Sequence, residues 1–508
     1  MHTDADAAAA DIATTAEAAA PSPEPQKPGR HDAYAALRIR NYRRFLGGWI
    51  FASMGLQMQG MALGWEVYER THSAWHLGLI GLCRALPVIV LALPAGQIVD
   101  TLNRKRVLIA TQFAFGLVSL GIAAASYFQA SLFWLYMLVI LSGCARVFNG
   151  PSRSSLLPQI IPAGRDGKTD PEIFHNAVTW NSGVFHLSAV LGPLLAGQII
   201  AAMLIVYASG PSPVATTAAA WPVFALTCVG CVIFGVSSCF VYPRPSQRPP
   251  VAISFANMRT GMLDGGRHLW REKTILGAIT LDLFAVLLGG ATALLPIFAK
   301  DILHVGPIGL GVLKAAPYAG AVLMSLILAH RPPFARAGQA MLWSVAGFGA
   351  CIIVFGLSRS FWLSAAVLFA SGVLDNISVV VRHVLVQMRT PEHLRGRVSA
   401  VNSVFIESSN ELGAFESGAA AMLFQKLLGT AVLGATASVV SGGIGTILVV
   451  AAVAAWLPEV RRLGRLREGD AESIHSPGHC SHCGYDLCGI DDKACPECGR
   501  VIRGDAEA

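Results

Sequence analysis

Ionisable residues set inside long apolar stretches are the chemistry-bearing feature of this chain. Glu407 and Glu411 stand four apart in one such stretch, so a helix places them on one face about 40° apart. Two carboxylates on one face repel each other, which suits one of them to take up and release a proton. Asp282, Asp375, Arg84, Lys314 and Arg146 lie in other apolar stretches. Each such group costs at least ~2.5 kcal/mol at the centre of a hydrocarbon layer, so each is expected to face a cavity or a partner. The expected chemistry is coupling: Glu407 or Glu411 carries the proton, while Arg84 and Lys314 contact a small molecule or alternate as carboxylate partners. The competing reading is a static ion pair that only holds helices together.

A second chemistry sits near the C-terminus. Cys480-Ser-His-Cys483-Gly and Cys495-Pro-Glu-Cys498-Gly are two Cys-x-x-Cys pairs, each followed by glycine. Four thiolates on two tight turns complete a closed tetrahedral site, so residues 480–502 are expected to form a small zinc ribbon around a structural Zn2+. So short a module cannot bury a core, and the metal would supply its folding free energy. Cys488 is surplus to the four ligands, with His479 and His482 as weaker alternates. Asp486, Asp491, Asp492, Glu497, Asp505 and Glu507 outnumber Lys493, Arg500 and Arg503, which argues against nucleic acid and leaves a protein partner or simple stabilisation.

The elements that must position the charged residues follow from composition. The chain has 508 residues, of which 54% are hydrophobic and 14% charged; soluble domains carry about a quarter charged residues. Twelve apolar segments are each long enough for a ~30 Å hydrocarbon core. They run approximately over 46–68, 76–99, 105–127, 131–152, 174–205, 220–241, 274–299, 307–329, 338–357, 361–382, 398–426 and 430–457. The expected fold is therefore all-α and integral to the membrane, with twelve transmembrane helices. Lysines and arginines gather before the first span, after the even-numbered spans and after the last. The other loops hold only Arg70, Lys300, Arg359 and Lys426. That asymmetry predicts that both termini are cytoplasmic, and it accounts for the net charge of +7 without nucleic acid.

Residues 1–34 are rich in Ala, Pro and Asp and read as a disordered cytoplasmic extension, not a secretory signal. Arg38, Arg40, Arg43 and Arg44 alternate with apolar residues as a basic, interface-hugging lead into the first span. Arg84-Ala-Leu-Pro87 and Lys314-Ala-Ala-Pro317 repeat a basic-Ala-x-Pro pattern 230 residues apart. That spacing implies two parallel six-helix halves, 35–242 and 274–457, joined by a loop at 243–273. A basic linker (458–479), the ribbon and an acidic tail (503–508) complete the expected organisation.

Two motifs bear on mechanism. The first is the hairpin Gly96-Gln-Ile-Val-Asp100-Thr-Leu-Asn-Arg104-Lys105-Arg106, between the second and third spans. The second is Leu191-Gly192-Pro193-Leu-Leu-Ala196-Gly197 in the fifth span, where Pro193 removes a helix hydrogen bond and the glycines permit close contact. The hairpin resembles the signature at this position in the major facilitator superfamily, although Thr101 and Asn103 replace that pattern's usual basic residue and glycine. The second motif resembles the Gly-Pro signature of that superfamily's antiporters and exporters, with Ala196-Gly197 for the usual Gly-Gly. Leu156-Leu-Pro-Gln159, the stretch Leu281-Asp282 to Pro296, Arg395-Gly-Arg-Val398 and Ser409-Asn410-Glu411 to Gly418 extend the likeness. Together they are similar to the branch of bacterial exporters related to the enterobactin exporter, the transmembrane secretion effector type.

The resemblance implies a secondary transporter of the bacterial inner membrane that works by alternating access. Gly96, Asp100, Arg104, Lys105 and Arg106 would form a conformational gate, with Gly96 packing closely on the eleventh span. Export of a small amphipathic molecule, a siderophore-like compound or a drug, by proton antiport is the expected function. The expected partners are that substrate, protons and membrane lipid, with the chain a monomer. The alternative is a non-transporting membrane receptor that signals through its tail. The chain has no Gly-x-x-x-x-Gly-Lys-Ser/Thr loop for nucleotide, and no nucleophile–base pair that marks an enzyme.

Overall fold

A computed structural model describes residues 32–163, 169–209, 216–244, 270, 272–331, 334–390 and 392–464. They form a helical bundle whose first six long helices are α1 (Arg40–Thr71), α2 (Ala74–Thr101), α3 (Arg104–Tyr127), α4 (Leu132–Ile160), α5 (Pro171–Ser209) and α6 (Trp221–Cys239). The next six are α7 (Lys273–Leu288), α8 (Gly306–Ala329), α9 (Ala337–Leu357), α10 (Phe361–Arg389), α11 (Glu392–Leu428) and α12 (Ala431–Trp456), and a short α13 (Pro458–Arg461) follows. Beyond Leu288 the chain breaks into a 3-10 turn, Ala291–Leu294, and a π turn, Phe298–Ile302.

Apolar runs adopt helix here because backbone polar groups without water must bond within their own segment. Polar residues punctuate the runs: Asn103 caps α3, its Oδ1 accepting from the backbone N–H of Lys105 at 3.1 Å and of Arg106 at 3.3 Å. The bundle's outside is apolar, with Leu117 71% exposed and Trp456 83% exposed. Trp134 and Trp362, beside the starts of α4 and α10, and Trp456 at the end of α12 are exposed near helix ends, the belt pattern of membrane-water boundaries.

Packing repeats with a period of six helices. α1 packs on α5 and α6 as α7 packs on α11 and α12; α3 packs on α4 and α6 as α9 packs on α10 and α12; α2 packs on α4 as α8 packs on α10. The two sets meet along α2–α11 and α5–α8. We call the end of the bundle where α1 begins and α12 finishes the terminal end, and the opposite end distal. At the distal end one apolar core runs through both sets, joining Met61 and Phe224 to Phe298, Leu310 and Phe355. At the terminal end the core divides, with Phe45, Leu108 and Phe234 in one cluster and Leu281, Met341 and Val453 in another. The bundle is closed distally and parted toward its termini.

The structure corrects two expectations about architecture. Among the described residues, ten helices, not twelve, are long and apolar enough to cross a membrane. α1 and α11 have the length but are too polar: α1 carries Gln57, Gln59 and several glycines at its centre besides Glu66, Glu69 and Arg70, and α11 carries Glu407, Glu411 and Glu416. The fold class of helices plus a zinc ribbon is corrected to an all-α bundle. Among the described residues there is only an isolated bridge, Ala163 to Thr169, and no group of three or more His, Cys, Asp or Glu able to hold a metal. The described cysteines are free thiols: Cys83, Cys144 and Cys351 on separate helices, and Cys228, Cys231 and Cys239 along α6. The structural Zn2+ and the ribbon's protein partner therefore have no support; Cys480, Cys483, Cys495 and Cys498 themselves lie outside the described residues. So do most of the N-terminal extension, the 243–273 loop and the 458–479 linker, and all of the acidic tail.

Candidate functional site

The charged residues of the spans converge at mid-depth, where the cleft that opens at the terminal end is floored by the distal core. Arg84 lies in α2, ten residues or ~15 Å from the distal start of that helix, and Lys314 lies at a comparable depth in α8. Both reach Gly60 of α1. The Lys314 Nζ donates to the Gly60 carbonyl at 3.1 Å, and Arg84 Nη2 lies 3.9 Å from where a Cβ would stand on Gly60. The repeat pair is thus brought together across the halves by a glycine that neither motif contains.

Glu411 is the acidic member of this group. Arg146 of α4 donates through Nη1 to its Oε1 at 3.3 Å, with the arginine side chain 55% exposed and the glutamate 16%. This ion pair crosses from one six-helix set to the other. Tyr318, one turn along α8 from Lys314, sits within electrostatic range of Arg146, Asp375 and Glu411. Glu407 is exposed, one turn closer to the terminal end. Asp282 is elsewhere: it forms a buried ion pair with Arg382 that ties α7 to α10 within one set.

The two seams between the sets are built from small residues. On α2–α11, a Cβ at Gly81 would lie 2.5 Å from the Glu411 carbonyl and 2.8 Å from Ala414 Cβ, while Gly78 sits against Phe415 and Gly418. On α5–α8 the fifth-span motif makes the contact. A Cβ at Gly197 would lie 2.5 Å from the Pro307 carbonyl, and one at Gly311 would lie 2.5 Å from that of Pro193. Gly192 faces the other way, 2.7 Å from Gln57 Cβ of α1 by the same measure. Such contacts exist only where side chains are absent, so these positions set how closely the helices approach.

The hairpin lies at the parted end. A Cβ on Gly96 would meet nothing within 4 Å, and Asp100 falls in the last turn of α2. Arg104 donates to the Ser155 carbonyl at 3.3 Å, Lys105 to the Cys239 carbonyl at 2.8 Å, and Arg106 is exposed. Lys105 and Arg104 thus bond within the first set in this conformation.

Sequence reasoning missed the distal contacts. Lys300 Nζ donates to Glu69 Oε2 at 2.7 Å, and the Tyr68 hydroxyl donates to Asp301 Oδ2, so the end of α1 is tied to the π turn Phe298–Ile302. Beside them the buried Glu66 pairs with Arg70, which also donates to the Ala130 carbonyl at 2.8 Å. The signal was present: acidic residues at 66 and 69 close an otherwise apolar span, opposite the few charges of the outer loops. Arg382, Gly60 and Tyr318 carry no such signal.

The sequence matches the profile of the transmembrane secretion effector family over residues 31–461. Among curated proteins it is similar to the enterobactin exporter EntS of Citrobacter koseri, 24% identical over 85% of this chain and 93% of that protein. It is also similar to the multidrug efflux pump Tap of Mycobacterium tuberculosis, 26% identical over 73% of this chain and 84% of that one. Among solved structures, a bacterial homologue of the human lysosomal transporter Spinster, inward-facing and unoccupied, superposes with a TM-score of 0.63. The two are 13% identical over 86% of this chain and 99% of that one. An inward-facing bacterial homologue of the iron transporter ferroportin gives 0.58 at 14% identity, covering 81% and 98%.

Proposed function

The chain belongs to the transmembrane secretion effector family of the major facilitator superfamily, and from that premise we propose that it exports a small amphipathic molecule by proton antiport. It is a secondary-active transporter that moves small molecules by alternating access, a multi-pass protein of the bacterial inner membrane and not an enzyme. The halves 35–242 and 274–457 move against each other along the α2–α11 and α5–α8 seams, with the fifth-span residues Pro193 and Gly197 setting the second seam and Gly192 seating α5 on α1. The basic residues of the even-numbered loops put the terminal end in the cytoplasm, so the state with its distal end shut is inward-open. Gly96, Asp100, Arg104, Lys105 and Arg106 form the cytoplasmic gate, which closes when the halves rock to the other side.

The observation that carries the reading is the Arg146–Glu411 pair across the halves. Glu411 has a second position of leverage, because its own carbonyl lies against Gly81 in the α2–α11 seam. Protonating the carboxylate removes its attraction for Arg146 and loosens the half-to-half contact beside that seam. In the inward-open state Glu411 is paired with Arg146 while Arg84 and Lys314 border the cleft. Proton release and substrate loading then coincide on the cytoplasmic side, as antiport requires. Glu407 stands one turn away as a relay to the cytoplasm.

The test is proton release from inside-out vesicles on addition of dyes, antibiotics or siderophores. The wild-type chain is expected to give substrate-dependent proton flux, and Glu411→Gln to lose it. Flux that survives Glu407→Gln and Glu411→Gln together would refute the coupling assignment.

A further inference from the structure

We propose that Arg84 and Lys314 together seat an oxyanion of the transported molecule, so that the substrate class is amphipathic organic anions. The inference rests on reading the central cleft as the substrate's path. It starts from an imbalance in pairing. Arg146 has Glu411, Arg382 has Asp282, Arg70 has Glu66, and Lys300 has Glu69. Among the described residues, Arg84 and Lys314 have no carboxylate within ion-pair distance; Lys314 donates to the Gly60 carbonyl and feels Glu411 only from beyond that distance.

Two cations turned toward one glycine at mid-depth repel each other and are costly in a low-dielectric setting, so the arrangement favours a negative charge between them. Gly60 leaves space, because a side chain extending beyond Cβ there would reach toward the Arg84 guanidinium. A guanidinium and an ammonium from opposite halves can each donate charge-assisted hydrogen bonds to one carboxylate, phenolate, sulfonate or phosphate. Tyr318, a turn further along α8 with Asp375 and Glu411 in electrostatic range, offers a hydroxyl on the side of the acidic groups. An anion bound here touches α2 and α8, hence both halves, and its charge draws them together while the Glu411 carboxylate keeps its ion pair with Arg146. A cationic substrate would meet repulsion from both residues.

The experiment measures equilibrium binding to the purified full-length chain in nanodiscs, using dansylglycine as the anionic probe and its methyl ester as the matched neutral one. The expected result is saturable binding, at least tenfold tighter for dansylglycine than for the ester. In Arg84→Gln and Lys314→Gln the ratio falls several-fold, and in the double variant it approaches one, while ester affinity holds steady as the check that each variant is folded. Equal affinity for the two probes, no saturable binding of dansylglycine, or a preference that survives in the double variant would overturn the proposal. Binding needs no proton gradient, so Glu411→Gln separates the two readings. A charge preference retained in Glu411→Gln alongside unaltered proton flux would sink the coupling reading and leave the anion site standing.

Discussion

Opening the distal end requires breaking the contacts between α1 and the π turn Phe298–Ile302, and Glu69→Gln tests how much they hold. The Glu69–Lys300 pair has an N···O distance of 2.7 Å, with side chains 15% and 27% exposed, so it is shielded from much of the solvent screening that empties surface pairs. Hydrogen bonds to charged groups contribute about 1.5–3 kcal/mol, and glutamine keeps the shape and one acceptor while losing the charge. The expected loss is about 1–2 kcal/mol from the distally closed state, a rise of roughly 5–30-fold in the ratio of open to closed molecules. Tyr68→Phe, which removes the donor to Asp301, is expected to shift the ratio in the same direction by about fivefold. Spin labels at Ser131 and Ser360, exposed distal positions on opposite halves, would report the change as a longer component in the distance distribution. These labels require a background in which the 11 native cysteines are replaced. If Glu69→Gln leaves that distribution unchanged, or if Lys300→Gln adds its full effect on top of Glu69→Gln, the pair is not a latch.

Two further outcomes follow from the packing. Gly81→Val places atoms where the backbone of α11 already stands, since even a Cβ would lie 2.5 Å from the Glu411 carbonyl. Overpacking of this kind costs about 1–3 kcal/mol, so the same label pair should show the distal end forced open and transport reduced; a wild-type distance distribution would refute this. Asp282→Asn leaves Arg382 buried without its counter-ion, at a cost of about 3–5 kcal/mol. A clear fall in thermal stability in detergent is expected, with the proton-to-substrate ratio of the surviving protein unchanged. A changed ratio would place Asp282 in the coupling path instead.

How far the site could be read beforehand differs residue by residue. Glu411, Arg84 and Lys314 were visible as charges that a hydrocarbon layer would reject, and the basic-Ala-x-Pro repeat linked the last two. Arg146 was visible as a charge, but its pairing with Glu411, 265 positions away, was not. Asp282 looked like the other buried carboxylates, and its buried pairing with Arg382, 100 positions away, could not be read from the sequence. Gly60 is silent in the sequence because its contact with Lys314 is made by a backbone carbonyl, which every residue carries. The cysteine spacing at 480–498 suggested a metal site, but among the described residues no ligand set converges. The count of apolar spans failed at α1 and α11 because both are the most polar helices of their sets, α1 through Gln57 and Gln59 as well as its distal charges and α11 through Glu407, Glu411 and Glu416.

The sequence by itself determined the helices, their membrane setting, the family and the set of intramembrane charges. These are local or compositional matters: a segment without water must satisfy its own backbone, and an apolar run of sufficient length has few alternatives to helix. Only the tertiary structure decided which charges pair, which stay open and which end of the bundle is shut. Those outcomes depend on contacts between helices far apart in the chain, and small residues such as Gly78, Gly81 and Gly197 decide them by letting backbones touch.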